Sequence, residues 1–186
     1  MEESSTSTVF HERQRWLRCG LHAVNNVLQE AKATPKDFEV IATSQAHIAG
    51  KGPLLFRLGL GDYDGNTIIA FLQDRASCEV TFIDRRHAAD AIRRHIMSTE
   101  NNTLKGFLVN VRRRRSLVPS FVCTSRHWFA IVRVNEKEWY LVDSSKEQVA
   151  NIDDPVAFLE NIQNDDNLDA SLLAVKGVSS GKTAKG

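Results

Sequence analysis

The chain has 186 residues, of which 42% are apolar and 25% are charged, and this composition is typical of one globular domain with a sizeable core. Its net charge of +1 creates no bulk field that would attract nucleic acid or an anionic membrane. The apolar runs are too short to span a bilayer, and the N-terminus lacks the basic and apolar regions of a secretory signal.

The three cysteines indicate free thiols in a reducing compartment. We therefore expect an intracellular protein that is not secreted, which leaves the cytoplasm and the nucleus open as locations. One domain is expected over residues 9–177, between a flexible N-terminus over residues 1–8 and a disordered tail over residues 178–186.

Helices are predicted mainly in the first half of the chain. The first should run from Cys19 to about Glu30, with Cys19 in the first turn and off the apolar core face. Unpaired backbone amides in a first turn favour an anion, so this position suits a thiolate. Thr34 followed by Pro35 predicts the start of a second helix that ends near Gly50. Further helices are predicted over residues 64–73, 87–97 and 155–162.

The second half of the chain is predicted to be mostly extended. Strands are expected over residues 78–83, 107–111, 127–134, 138–143 and 171–176. Helices first and strands later, without regular alternation, indicate an α+β fold with a largely antiparallel sheet. The four arginines from Arg112 to Arg115 have no interleaved aromatic residues, so they predict a solvated loop rather than a nucleic-acid site.

Four residues supply what a cysteine hydrolase needs. Cys19 as a thiolate would attack a carbonyl carbon, and His127 would pass the proton to the leaving amine. Asp143 would hold the tautomer of the imidazole, while Gln14 and the backbone amide of Cys19 would bind the oxyanion. Each residue also has a plain structural interpretation, since a lone cysteine is usually a small buried hydrophobe and an aspartate often caps a turn.

The hairpin that carries His127 and Asp143 gives this hypothesis a geometric test. If the loop between its strands has three residues, Val134 pairs with Glu138, and Phe129 lies opposite Asp143. His127 is then the diagonal neighbour of Asp143 on the same face, within reach of its carboxylate. A loop of two or four residues would place the two side chains on opposite faces.

A zinc module is the alternative that also uses Cys19. The pairs Cys19-x-x-His22 and Cys123-x-x-x-His127 contain four potential zinc ligands with plausible spacing. About a hundred residues separate the two pairs, and the spacing of the second pair suits a helix better than a strand. The hydrolase hypothesis calls for no metal and no cofactor.

Four blocks of this sequence together form a recognisable pattern. The longest block runs from Phe10 to Gln29 and includes Gln14, Cys19, His22, Asn25 and Asn26. The other blocks span residues 61–66, 126–130 and 139–144. These blocks resemble the Josephin domain, the catalytic domain of the Machado–Joseph disease protein family. The resemblance covers roughly residues 9–177 and is nearest to the short stand-alone Josephin proteins, which lack ubiquitin-interacting motifs and a glutamine tract.

The resemblance implies a papain-like fold, with an N-terminal helical part packed on the sheet, and thiol-dependent deubiquitinating (omega peptidase) activity. In family terms Cys19 matches the nucleophile, His127 the base and Gln14 the oxyanion glutamine, and Asp143 falls where the family places Asn or Asp. The implied partners are ubiquitin or polyubiquitin conjugates, cut at the isopeptide bond to lysine. We expect a monomer that binds no nucleic acid.

Two departures from the family pattern bear on activity. Arg18 precedes the nucleophile at a position where an apolar residue is expected. The segment from Ala31 to Leu58 is shorter than the helical arm of longer family members. The alternative function is therefore a low-activity, ubiquitin-binding module of the same fold.

Overall fold

The structure, a computed structural model, describes residues 8–14, 18–49, 63–98, 103–114 and 124–178. The predicted flexible N-terminus and disordered tail lie outside these ranges except for Thr8 and Val178. Cys123 and Arg115 also lie outside them.

Five α-helices and six β-strands make up the described parts of the chain. The helices are α1 (Cys19–Leu28), α2 (Pro35–Ala49), α3 (Gly65–Asp74), α4 (Ala88–Met97) and α5 (Pro155–Asn164), and a 3-10 turn spans Arg85–His87. The strands are β1 (Cys78–Ile83), β2 (Leu104–Arg114), β3 (Thr124–Arg133), β4 (Trp139–Val142), β5 (Ala150–Asn151) and β6 (Ser171–Gly177). Among the described residues, no helix combines the length and the hydrophobicity needed to cross a bilayer.

Short polar side chains cap the starts of three helices, α2, α3 and α5. The Asp64 carboxylate accepts the Thr67 N–H and caps α3, and Asp154 caps α5 in the same way just before Pro155. Thr34 accepts the Asp37 N–H at 3.3 Å, as the Thr-Pro pattern predicts for α2. These caps confirm the predicted starts of the second and third helices.

The six strands form one antiparallel sheet in the order β1-β6-β2-β3-β4-β5. Alternate side chains of β2, β3 and β6 point into two separate apolar cores. The first core lies between the sheet and helices α1 to α3, and the second lies between the sheet and helices α4 and α5. The predicted α+β class and the helical N-terminal part on an antiparallel sheet are therefore confirmed.

The structure corrects three details of the sequence-based prediction. Helix α1 ends at Leu28 rather than near Glu30, because Gln29 takes a left-handed backbone conformation with φ of 60°. The predicted solvated loop at the arginine run is wrong for Arg112 to Arg114, which continue strand β2. The two-residue strand β5 was not predicted, because so short a segment has no periodicity to detect.

Gly106 lies at a register shift in β2 and, among the glycines of the described ranges, is the one whose replacement should cost most. Its φ is +149°, and a Cβ there would lie 2.0 Å from the carbonyl oxygen of Ile131. Gly106→Ala should therefore lower the free energy of unfolding by on the order of 3 kcal/mol. Urea denaturation measures this loss, and Gly177→Ala is the matched control because its Cβ would lie at ordinary contact distances, 3.6 Å from Cε of Lys105 and 3.8 Å from the carbonyl oxygen of Thr103. Equal effects of the two substitutions would contradict the strain at Gly106.

Candidate active site

Close packing of α1 on β3 brings Cys19 beside the strand that carries His127. Cys19 is the first residue of α1, and Gly20 follows at the contact with the sheet. A Cβ at Gly20 would lie 3.0 Å from Cδ1 of Ile68 and 3.5 Å from Cδ1 of Trp128, the neighbour of His127. The small size of Gly20 therefore allows the start of the helix to approach β3 closely.

The β3–β4 hairpin has the register that the three-residue loop predicts. Arg133 pairs with Trp139 and Ala130 with Val142, and the N–H of Val134 donates to the carbonyl oxygen of Glu138 at 3.0 Å. This register is confirmed. It directs the side chains of His127 and Asp143 toward each other just beyond the last pair of the β3–β4 ladder.

The ring of His127 lies between Cys19 and Asp143. Its Nε2 is 2.8 Å from Oδ1 of Asp143, and the ring also hydrogen-bonds the side chain of Cys19. Since Nε2 faces the carboxylate, Nδ1 is the nitrogen that remains for the sulfur. Cys19 is 6% exposed, His127 is 5% exposed and Asp143 is 8% exposed, so the three side chains interact largely away from bulk water.

The carboxylate of Asp143 is fixed by more than the histidine. Its Oδ1 also accepts the backbone N–H of Ser145 at 2.9 Å and the Ser145 hydroxyl at 2.8 Å. Burial alone would raise the pKa of Asp143, but the hydrogen bonds from His127 and Ser145 outweigh it and lower the pKa to about 2. Asp143 is therefore charged and oriented throughout the neutral range.

His127 is held as an imidazolium. Burial alone would lower its pKa, but hydrogen bonds with Asp143 and Cys19, together with the charges of these groups, raise the pKa to about 9. The protonated ring of His127 lies against the sulfur atom of Cys19. This contact places an acid that can protonate a leaving group beside a side chain that can act as a nucleophile.

The segment that carries Gln14 runs beside the loop after β4. The backbone N–H of Gln14 donates to the carbonyl oxygen of Ser144 at 2.7 Å, and Nε2 of His11 is 3.2 Å from the carbonyl oxygen of Asp143. The structure thus brings the backbone of Gln14 next to the residues that follow the carboxylate. No sequence pattern predicts this contact of His11, because the stretch from His11 only begins like the H-E-x-x-H motif and lacks its second histidine.

The polar side of α1 differs from the prediction. Cys19 was predicted to lie off the core face, but all ten residues of α1 are buried, and Cys19 belongs to the first apolar core. Residues 10–12 cover the polar side, where they bind the side chains of Asn25 and Asn26. Two adjacent asparagines on an otherwise apolar helix were the available signal for such a covering segment.

The side chain of Arg18 is engaged with an aromatic residue. It hydrogen-bonds the hydroxyl of Tyr63, a buried side chain whose pKa is raised chiefly by burial. The cation that departs from the family pattern therefore contacts the residue just before α3.

Two of the proposed zinc ligands, His22 and His127, are used in other contacts, and Cys123 lies outside the described residues. Nδ1 of His22 is 3.2 Å from Oε2 of Glu12, and Nε2 of His127 is bound to Asp143. Within the described ranges, no three histidine, cysteine, aspartate or glutamate side chains gather in a way that could hold a metal ion. Cys19 and Cys78 are free thiols.

Comparisons with known proteins agree with the resemblance seen in the sequence. The family model described as Josephin matches residues 56–175, a range that includes His127 and Asp143 and begins after Cys19. The chain is 30% identical over 171 residues to a Josephin-like protein of Drosophila melanogaster, and this alignment covers 90% of this chain and 73% of the relative. It is 32% identical over 143 residues to Josephin-2 of Homo sapiens, and this alignment covers 76% of this chain and 71% of the relative. The chain therefore belongs to the Josephin family.

Proposed function

We propose that this protein is a ubiquitin-specific cysteine isopeptidase that hydrolyses the bond between the ubiquitin C-terminus and a lysine side chain. Josephin proteins are deubiquitinases of the cysteine-protease type, and membership of that family supports the substrate class. The observation that carries the chemistry is the position of His127, whose ring contacts Cys19 on one side and Asp143 on the other.

The proposed reaction proceeds in two steps. The Cys19 thiolate attacks the carbonyl carbon of the isopeptide bond, and Nδ1 of His127 gives its proton to the lysine amine as the C–N bond breaks. Water then attacks the thioester, His127 accepts a proton from it, and the ubiquitin carboxylate leaves as the Cys19 thiolate re-forms. Asp143 keeps the ring aligned through Nε2 in both steps.

The developing oxyanion needs hydrogen-bond donors. The first N–H groups of an α-helix have no partner within the helix, and Cys19 is the first residue of α1. We assign the backbone N–H of Cys19 and the side-chain amide of Gln14 to this role. Losing one such donor typically costs on the order of 3 kcal/mol of barrier, so Gln14→Ala should lower kcat by about 10²-fold.

The partners and the location of the protein follow from the same proposal. Ubiquitin or polyubiquitin conjugates are the partners, and they meet a monomeric enzyme inside the cell. Gel filtration with light scattering tests the monomer, which a mass of twice 20.9 kDa would contradict.

Turnover of a fluorogenic ubiquitin C-terminal amide under reducing conditions tests the proposed activity. We expect the wild type to release the fluorophore, Cys19→Ala to release none above background, and Cys78→Ala to retain turnover. Cys78 is the matched control because it is also a buried free thiol, in β1. Ubiquitin binding by calorimetry without turnover in the wild type would instead establish the low-activity binding module.

A further inference from the structure

Two amide side chains at the C-terminal end of α1, those of Asn26 and of the capping residue Gln29, bind the backbone of the N-terminal segment as a neighbouring strand would. Oε1 of Gln29 accepts the Phe10 N–H at 2.9 Å, and Nε2 of Gln29 donates to the Phe10 carbonyl oxygen at 3.2 Å. Oδ1 of Asn26 accepts the Glu12 N–H at 2.7 Å, and its Nδ2 donates to the Glu12 carbonyl oxygen at 3.3 Å. Residues two apart in an extended segment present their backbone groups on the same side, and Asn26 and Gln29 are neighbours on the helix.

Burial shows that this contact is built into the fold. Asn26 is 0% exposed, so its amide depends on the Glu12 backbone for its hydrogen bonds. The side chain of Glu12 adds two contacts, at 2.6 Å to Nδ2 of Asn25 and at 3.2 Å to Nδ1 of His22. The polar side of α1 is thus matched by residues 10–12.

Gln29 stands where glycine is usually favoured. It ends α1 with φ of 60°, a left-handed conformation that a glycine adopts without strain. Nε2 of Gln29 also donates to the backbone carbonyl oxygen of Asn26 at 2.6 Å, which holds the Gln29 side chain against the last turn of α1. The hydrogen bonds of its side chain to the backbone of Phe10 and Asn26 explain why a glutamine, rather than a glycine, occupies this position.

The other end of the same segment is attached to the loop after β4. His11 contacts the carbonyl oxygen of Asp143, and the N–H of Gln14 donates to the carbonyl oxygen of Ser144. Residues 10–14, which we call the strap, therefore join the helix that begins at Cys19 to the loop that begins at Asp143. Movement of the strap along α1 would displace Gln14 relative to both.

We propose that Asn26 and Gln29 are positioning residues that hold the strap and thereby fix Gln14 for oxyanion binding, an assignment that rests on the proposed function. Both residues bind backbone groups, so they fix the position of the strap rather than select its side chains. Neither touches the reacting atoms, and their effect passes through Gln14. The strap therefore connects α1, which begins at Cys19, to the loop after β4. This connection does not pass through the sheet.

Gln29→Gly separates this positioning role from a purely structural one. Glycine suits the left-handed end of α1, so the urea midpoint should stay close to that of the wild type while both contacts to Phe10 are lost. We expect kcat on the ubiquitin amide to fall by about 10- to 10²-fold with KM unchanged. The rate of Cys19 alkylation by iodoacetamide, followed by peptide mapping, should stay within about twofold, because alkylation forms no oxyanion.

A double-mutant cycle tests whether the effect passes through Gln14. If it does, Gln14→Ala with Gln29→Gly should lose no more kcat than Gln14→Ala alone. A kcat in the double variant that falls by the product of the two single losses would overturn the proposal. So would a kcat of Gln29→Gly equal to that of the wild type, or a Cys19 alkylation rate in Gln29→Gly that falls as much as kcat. Gln163→Ala, which removes a buried glutamine of α5, is the control and should leave kcat unchanged.

Amide hydrogen exchange tests the strap independently of the proposed enzymatic activity. The amides of Phe10 and Glu12 should exchange at least about 10-fold faster in Gln29→Gly than in the wild type. Unchanged exchange would overturn the strap whatever the activity. Absence of turnover in the wild type, with faster exchange in the variant, would remove the proposed function and leave the strap as a structural connection without the positioning role.

Discussion

Replacing His127 by alanine should lower kcat/KM for a ubiquitin C-terminal amide by about 10³- to 10⁴-fold. The substitution removes the proton donor for the leaving amine and the cation that contacts the Cys19 sulfur. Alkylation of Cys19 by iodoacetamide near pH 6 should slow in parallel, because the substitution removes the cation beside the sulfur atom that reacts. Steady-state hydrolysis and peptide mapping measure the two effects.

His95→Ala is the matched control for this substitution. His95 is a half-buried histidine of α4 whose pKa is lowered, chiefly by burial, and it belongs to the opposite layer of the fold. Its replacement should leave kcat/KM within about twofold of the wild type. Activity of His127→Ala equal to that of His95→Ala would exclude His127 from the reaction.

Replacing Asp143 should cause the second large loss of kcat/KM. Two substitutions separate its two roles, which are to orient the ring of His127 and to supply a negative charge beside it. Asp143→Ala removes both and should lower kcat/KM at pH 7 by about 10²- to 10³-fold. Asp143→Asn keeps a side-chain oxygen at the position that now lies 2.8 Å from Nε2 of His127, so it should lose only about 10-fold. Equal activity of both variants and the wild type would show that Asp143 only caps the turn at Ser145.

The pH dependence of Asp143→Asn follows from the sign of the shift at His127. The pKa of His127 is raised from 6.5 to about 9, so the imidazolium persists below about pH 9 and activity should fall above it. The hydrogen bond and charge of Asp143 are among the causes that raise this pKa. The alkaline limb of kcat/KM should therefore move to lower pH in Asp143→Asn, and an unmoved limb would contradict the assigned ion pair.

The same shift has a consequence for stability. A folded-state pKa above the unfolded value means that the contribution of His127 is fully present below about pH 6.5 and is lost as the pH rises through about 9. The difference in unfolding free energy between the wild type and His127→Ala should shrink over this interval. Urea titrations at pH 6 and pH 9.5 measure the change, and a constant difference would contradict it.

The hairpin shows how far sequence pattern can reach into the site. The odd loop length fixes which residues share a face, and the register of Arg133 with Trp139 follows from it. This parity placed His127 and Asp143 together without knowledge of the rest of the fold. Local periodicity likewise predicted β1 and α3, because each has a clear pattern bounded by a cap or a turn.

Other features depend on contacts that leave no periodic signal. The packing of α4 and α5 on the opposite face of the sheet is a matter of topology, which helical periodicity alone does not specify. The strap depends on side-chain amides that bind backbone groups far away in the sequence. The residue types of Phe10 and Glu12 therefore do not predict these contacts. The full burial of α1 depends on the same contacts, and its two adjacent asparagines indicate that some segment covers the polar face without indicating which one.

The most direct measurement of the central claim is the site at which a ubiquitin C-terminal electrophile becomes attached. After reaction under reducing conditions, digestion and mass spectrometry should place the adduct on Cys19 in the wild type. The adduct should form far more slowly in His127→Ala and be absent in Cys19→Ala. An adduct on Cys78 or Cys123, or no adduct on the folded wild-type protein, would contradict the assignment of Cys19 and His127 as one reactive pair.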